Sequence, residues 1–198
     1  SHFVQQQHTV NAFSSSDSWV ILSPIEQSIK QKIEAVGVPL KDWDIQINYG
    51  IKTGCNEAFI INTDKRNEIL ANCKDEAERK RTEELIRPIL RGRDIKRYGY
   101  EWAGLWLIAT FPARHYDIEQ YPAVKEYLLS FAEDYLRKNG CEWVVDDYLT
   151  DFCEQKLSQT GKYIVINGKE VTINGKKEKA RKKTSNKWFE TQDSISYW

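Results

Sequence analysis

YIVINGKEVTING, residues 163–175, alternates β-branched and polar residues and is interrupted at Asn167-Gly168. An Asn-Gly pair between two alternating runs predicts a β-hairpin, because both residues accept the positive φ that a type I′ turn requires. Asn174-Gly175 offers a second turn of this kind, but KKEKARKK follows it in place of an apolar return strand. The expectation is therefore one hairpin with a flexible basic loop projecting from it. Working outward, LWLIATF (Leu105–Phe111) is an apolar, aromatic-rich run of strand length and reads as a buried strand. DIQINY (Asp44–Tyr49) alternates like a strand, and Ala58–Ile61 reads as another after the turn Gly50–Asn56.

Between these runs lie helical patterns. Ser23 as cap, Pro24 at the first helical position and Glu26 in a capping box open a helix. Ile25, Ile29, Ile33 and Val36 form its apolar stripe, and Gly37 is its expected stop. Residues 64–86 are helical in composition, with a break near Lys74-Asp75 and closure by Pro88. Pro122 opens another helix with Val124, Tyr127, Leu128, Phe131, Tyr135 and Leu136 on its apolar side and Gly140 at its end. Residues 148–159 suggest one more short helix. Strands and helices mixed in this order predict an α+β domain. Its mixed β-sheet is expected from the Asp44, Ala58, Leu105 and Tyr163 regions, with helices packed against it.

The chain has 198 residues, of which 40% are hydrophobic and 29% charged. That is enough apolar material for a core and excludes wholesale disorder. No run approaches the ~20 apolar residues that a membrane span requires, and residues 1–18 lack the charge and apolar block of a signal peptide. They read as a polar lead-in to one domain over residues 19–198. Cys55, Cys73, Cys141 and Cys153 contain no C-x-x-C pair, and the three histidines supply no partner at zinc-ligand spacing. A reduced, cytoplasmic compartment follows as the expectation. The chain lacks Met entirely and ends in SISYW, as if within an element. It is expected to be a piece of a longer protein.

Net charge is zero, but the charges are segregated. Residues 79–97 hold 8 Lys and Arg against 3 Asp and Glu, and residues 161–187 hold 9 against 2. Residues 98–160 hold 5 against 11. Such a chain can present a basic face to an anionic partner and an acidic one elsewhere. RGRDIKRY (Arg91–Tyr98) interleaves four cations with a Gly and ends on an aromatic ring. Arg can grip guanine or phosphate through its fork, and the alternative is a solvated turn in which an Arg pairs with Asp94. Lys176, Lys177, Arg181, Lys182 and Lys183 follow the hairpin and read either as a sequence-independent phosphate contact or as a solubilising loop. GIKTG (Gly50–Gly54) reads either as a loose phosphate cradle or as a tight connection. There is no G-x-x-x-x-G-K-[ST] loop, no G-x-G-x-x-G and no G-x-S-x-G. Asp146, Asp147, Asp151, Glu154 and Lys156 admit a metal-nuclease D…E-x-K reading against that of a solvated helix face.

Three blocks taken together resemble a known family: GIKTGCNEAFII (Gly50–Ile61), IRPILRGRDIKRY (Ile86–Tyr98) and KWFETQD (Lys187–Asp193). They are similar in order and spacing to the TaqI-like C-terminal specificity domain, over roughly Trp19–Trp198. That domain is the target-recognition module of adenine-specific DNA methyltransferases, including single-chain type IIG restriction-modification enzymes. The resemblance implies a bacterial protein, double-stranded DNA as partner, and DNA contacts at Lys52, Thr53 and Asn56 in the first block. It implies further contacts at Arg91, Arg93, Lys96 and Arg97 in the second. It also implies S-adenosylmethionine in a methyltransferase domain upstream, with Mg²⁺ if the parent protein cleaves DNA. The glycine-rich cofactor loop and the N-P-P-Y-type tetrapeptide of such a domain are absent from these residues, so this part is expected to be non-catalytic. Relative to a minimal family member, residues 141–183 look like an insertion and the C-terminus looks truncated. The rival expectations are a metal-dependent nuclease and a protein-interaction module of a phage-defence methyltransferase.

Overall fold

The computed structural model describes residues 21–45, 50–139, 146–193 and 195. The chain divides into two compact units, Ser1–Tyr49 and Gly50–Trp198. In the first unit, helix α1 (Pro24–Val36) forms as its signals predict. The Ser23 hydroxyl accepts from the Glu26 amide, and the Glu26 carboxylate accepts from the Ser23 amide at 2.8 Å. Ile25, Ile29, Ile33 and Val36 are all exposed. Of the strand expected over Asp44–Tyr49, residues 46–49 lie outside the described residues, and Asp44 and Ile45 are not in a strand.

The second unit is α+β. Its chain runs through α2 (Asn56–Phe59), β1 (Ile60–Asn62), α3 (Thr63–Ala71), α4 (Glu76–Leu85) and β2 (Ile86–Pro88). A small hairpin follows, β3 (Ile95–Lys96) and β4 (Gly99–Tyr100), and then β5 (Leu105–Ile108). Helices α5 (Pro122–Ser130), α6 (Ala132–Lys138) and α7 (Leu149–Leu157) lead to β6 (Val165–Ile166), β7 (Lys169–Glu170), β8 (Thr172–Ile173) and β9 (Lys176–Lys177).

The predicted buried strand, β5, is the centre of a three-stranded sheet in the order β1-β5-β2. Ile60 lies opposite Leu107 and Ile86 opposite Ile108, all antiparallel. Leu107 and Ile108 are fully buried among Phe59, Leu85, Phe111 and Leu128. The mixed sheet expected from four regions is thus replaced, among the described residues, by separate antiparallel sheets. Ala58 belongs to a helix because the Ala58 and Phe59 amides both donate to the Cys55 carbonyl at 3.2 Å. The apolar run AFII is compatible with either element by pattern alone, and the local turn decides it. Pro88 does not close α4; the helix ends at Leu85, and Ile86–Pro88 is already strand. The long helix expected after Pro122 is two, divided at Phe131, and Gly140 lies outside the described residues.

Glu78 explains how α4 and α5 are joined. Its buried carboxylate accepts from the Lys74 amide at 2.9 Å and the Ala123 amide at 2.9 Å. One carboxylate thereby satisfies orphan donors at the starts of two helices.

Residues 161–181 make two hairpins, not one. Asn167 and Gly168 have φ of 47° and 73°, and Asn174 and Gly175 have 50° and 74°, so both turns close as their residue types require. The basic Lys176-Lys177 is the return strand opposite Thr172-Ile173. Three segments then close on one another. Val171 donates to the Ile164 carbonyl, Ile164 to that of Glu178, and Glu178 to that of Val171, at 3.0, 3.1 and 2.8 Å. Ile164, Ile166, Val171 and Ile173 are buried inside, in one core with Phe152, Cys153 and Leu157 of α7. Within the stretch expected as an insertion, residues from Phe152 to Ile173 thus contribute to the core. Gln155 imitates a strand neighbour, donating to the Val165 carbonyl and accepting from its amide, both at 2.9 Å.

Candidate nucleic-acid interface

The turn after β2 is built around Asp94. Asp94 Oδ2 accepts from the Arg91 amide at 2.9 Å and from Arg91 Nε at 3.0 Å, while Oδ1 accepts from Arg91 Nη2 at 2.8 Å. This two-toothed ion pair is the stronger kind of charge-assisted bond. It locks the 3₁₀ turn Gly92–Asp94, and the Glu101 amide donating to the Asp94 carbonyl at 2.8 Å closes the far side. Arg91 therefore braces the turn, the second of the two readings its sequence allowed, with about a third of its side chain (32%) still exposed. The turn does not require glycine at position 92, since a Cβ placed there would meet nothing within 4 Å.

From this base the β3–β4 hairpin projects with every residue from Ile95 to Glu101 exposed. Tyr98 at its tip is 90% exposed and Tyr100 is 67% exposed. Arg97 lies over the Tyr98 ring, its guanidinium carbon 5.2 Å from the centroid. Arg93 is exposed and has no ion-pair partner among the described residues, whereas Lys96 pairs with Glu101 at 3.1 Å. The result is a rigidly footed, narrow projection carrying cations and two unburied aromatic rings. Such a projection can enter a groove of a duplex, bond phosphate or base edges through arginine, and stack or bond through tyrosine.

The Arg91 carboxylate partner also sets a pH limit. Hydrogen bonds from Arg91 hold the Asp94 carboxyl down at about 2, against an ordinary 3.8. A carboxyl depressed on folding contributes its stabilisation above the ordinary value and loses it as pH falls through the depressed one. The turn is therefore expected to stay closed to about pH 4 and to open between about 4 and 2. The check is the Asp94 side-chain carboxyl ¹³C shift across that range. A midpoint at the ordinary value would mean that the ion pair is open in solution.

The second basic stretch behaves differently from its expectation. Lys176, Lys182 and Lys183 are exposed with no ion-pair partner among the described residues. Lys177 pairs with Glu170 at 2.5 Å, and Lys179 lies 4.5 Å from the centre of the Tyr163 ring. Arg181 is buried and cannot reach DNA. Its Nε donates to the Leu157 carbonyl at 2.8 Å, and Nη1 donates to Thr53 and Glu190 carbonyls at 3.0 and 2.6 Å. Nη2 donates to the Trp188 carbonyl. Phe59 stacks on the guanidinium, 5.0 Å away. Burial pulls the Arg181 pKa down to about 10, so the group is still a cation at neutral pH.

GIKTG serves this arginine as a tight connection. Gly54 has φ +78°, and a Cβ there would lie 2.9 Å from Arg181 Cδ, so the position requires glycine. Thr53 is buried; its hydroxyl donates to Asn56 Oδ1 at 2.7 Å and accepts from the Cys55 amide at 3.2 Å. Thr53 is thus also a structural residue. Lys52 and Asn56 are exposed, and Lys52 is held through its backbone by Asp193.

The three sequence blocks come together around β5. The first ends in β1 and the second begins in β2, the two neighbours of β5. In the third, the Thr191 amide donates to the Thr110 carbonyl at 2.9 Å, and the Thr110 hydroxyl to that of Phe189 at 2.5 Å. First and third blocks also meet on Arg181. By contrast, the D…E-x-K residues do not converge. Lys156 is turned to Glu178 at 2.5 Å, while Asp151 and Glu154 face solvent and Asp151 accepts from Gln155. Among the described residues no three His, Cys, Asp or Glu side chains are grouped to hold a metal ion. Nor is any helix among them long and apolar enough to cross a membrane. No family model, curated protein or solved structure matches this chain.

Proposed function

We propose that this chain is the sequence-reading module of a bacterial restriction-modification enzyme that methylates the exocyclic amine of adenine in double-stranded DNA. The observation that carries the proposal is the projecting β3–β4 hairpin, with Arg93, Arg97, Tyr98 and Tyr100 unburied above the Arg91–Asp94 ion pair. The assembly of the three resembling blocks around β5 supports it, since they are far apart in sequence and form one structural unit. Methylation of an adenine amine requires the base to leave the stack. A separate module must then hold the duplex in register and read base edges in the major groove, where all four base pairs differ. In this reading the hairpin reads bases, and Lys176, Lys182 and Lys183 hold phosphates, with Lys52, Asn56 and Lys96 as further contacts. An upstream methyltransferase domain would hold S-adenosylmethionine, and Mg²⁺ too if the parent cleaves. An N-P-P-Y-like tetrapeptide in the reading frame before Ser1 would identify that domain.

The phosphate assignment has its own test. Each lost phosphate contact lowers the slope of log affinity against log salt by about 0.9 on duplex DNA. Lys182→Ala with Lys183→Ala is expected to weaken binding alike on every duplex and to flatten that slope by about 2. Loss confined to one sequence would make these lysines base readers.

A further inference from the structure

A cleft of about 580 Å³ opens beside the edge strand β2, away from any residue assigned above. Arg81 of α4, Arg87 of β2 and Arg114 line it, with Tyr116 and Tyr121, and Glu84 is its single carboxylate. Each arginine is placed by a different element. Arg87 follows the buried Ile86 and so stands on the opposite face of the strand, where it is exposed. Arg114 ends the 3₁₀ turn Pro112–Arg114, which His115 closes in the left-handed region at φ 51°. Arg81 is steadied by Nη2 donating to the Gln120 carbonyl at 3.3 Å, while its buried Nε has no partner.

Neither Arg87 nor Arg114 has an ion-pair partner among the described residues. Three guanidiniums sharing one cleft repel one another, and a single carboxylate does not neutralise them. Elsewhere in this unit the arginines Arg79, Arg91 and Arg137 lie against carboxylates. We infer that this cleft binds a phosphate group, the anion whose oxygens match several planar forks at once. The Tyr116 and Tyr121 rings meet edge to face at 6.0 Å and give the cleft an aromatic wall. The cleft has room beside the arginines for more than a lone phosphate, and the aromatic wall suits a phosphate ester that carries a base. That ester is either a free mononucleotide or a phosphate of a nucleic-acid strand. The inference does not depend on the DNA-reading hairpin.

The test is isothermal titration of the full chain with adenosine 5′-monophosphate, inorganic phosphate, adenosine and a 12-base-pair duplex. Saturable binding of the monophosphate, without binding of adenosine, is expected for a free-nucleotide site. Binding of the duplex alone, persisting in an Arg93→Ala, Arg97→Ala background and lost there on cleft substitution, is expected for a strand phosphate. In either case Arg87→Gln and Arg114→Gln, both exposed positions, should each weaken binding about tenfold. Arg97→Gln, in the hairpin, should leave monophosphate binding unchanged. Should none of the phosphates bind saturably, or should binding survive both cleft substitutions, the inference fails. A duplex that still binds through the hairpin would show that the failure is the cleft's alone.

Discussion

Arg181→Ala is expected to cost about 3–5 kcal/mol of folding stability and to lower the melting temperature on the order of 10 °C. The arginine is buried and bonds carbonyls of Thr53, Leu157, Trp188 and Glu190. Removing it leaves those acceptors facing a cavity, at about 1–3 kcal/mol for each that water cannot reach. An opposing effect exists, because burying a cation without a carboxylate is itself costly and its removal relieves that cost. Four orphaned carbonyls outweigh one relieved charge. Arg181→Met separates volume from bonding, since it refills much of the space and restores none of the hydrogen bonds. Both variants should melt early in a thermal scan followed by circular dichroism. An Arg181→Met protein as stable as the parent would show that the residue acts by filling space.

The second large effect falls on recognition and spares the fold. Arg93→Ala with Arg97→Ala is expected to leave the melting temperature within about 1–2 °C, because surface changes away from a structural feature cost little. Discrimination for the recognised DNA site should fall by about 1–3 kcal/mol for each arginine that grips a base, which is roughly 5- to 150-fold. Arg91→Ala should behave in the opposite way, loosening the turn that carries the hairpin. Measuring both melting and site discrimination on the two variants distinguishes base reader from brace. Equal losses of stability in both would contradict the division drawn here.

Local signals carried much of the architecture. The capping box at Ser23, the break near Lys74-Asp75, the buried LWLI strand and the Asn167-Gly168 turn all rest on side chains acting within a few residues. Sequence order hid what depends on distant partners. KKEKARKK reads as a solvated run, yet Lys176-Lys177 completes a hairpin and Arg181 is buried, because the acceptors that receive it come from residues 53, 157, 188 and 190. Composition cannot distinguish that arginine from its exposed neighbours Lys182 and Lys183. Arg91 and Arg93 were equally opaque: the same motif RGRD offers two cations to one Asp, and only the turn geometry assigns the pair to Arg91. Arg81 and Arg87 lay within a visibly basic stretch, but Arg114 stands alone in sequence, and only the fold brings it to their cleft.

The central claim, that this chain reads DNA sequence, is tested most directly by selection from a randomised duplex pool. The full chain, and the longer protein if the reading frame extends upstream, would be incubated with the pool at moderate salt and the retained duplexes sequenced. Enrichment of one short sequence that disappears in the Arg93→Ala, Arg97→Ala variant is the predicted result. Retention of all sequences alike, or of none at low salt, would contradict it.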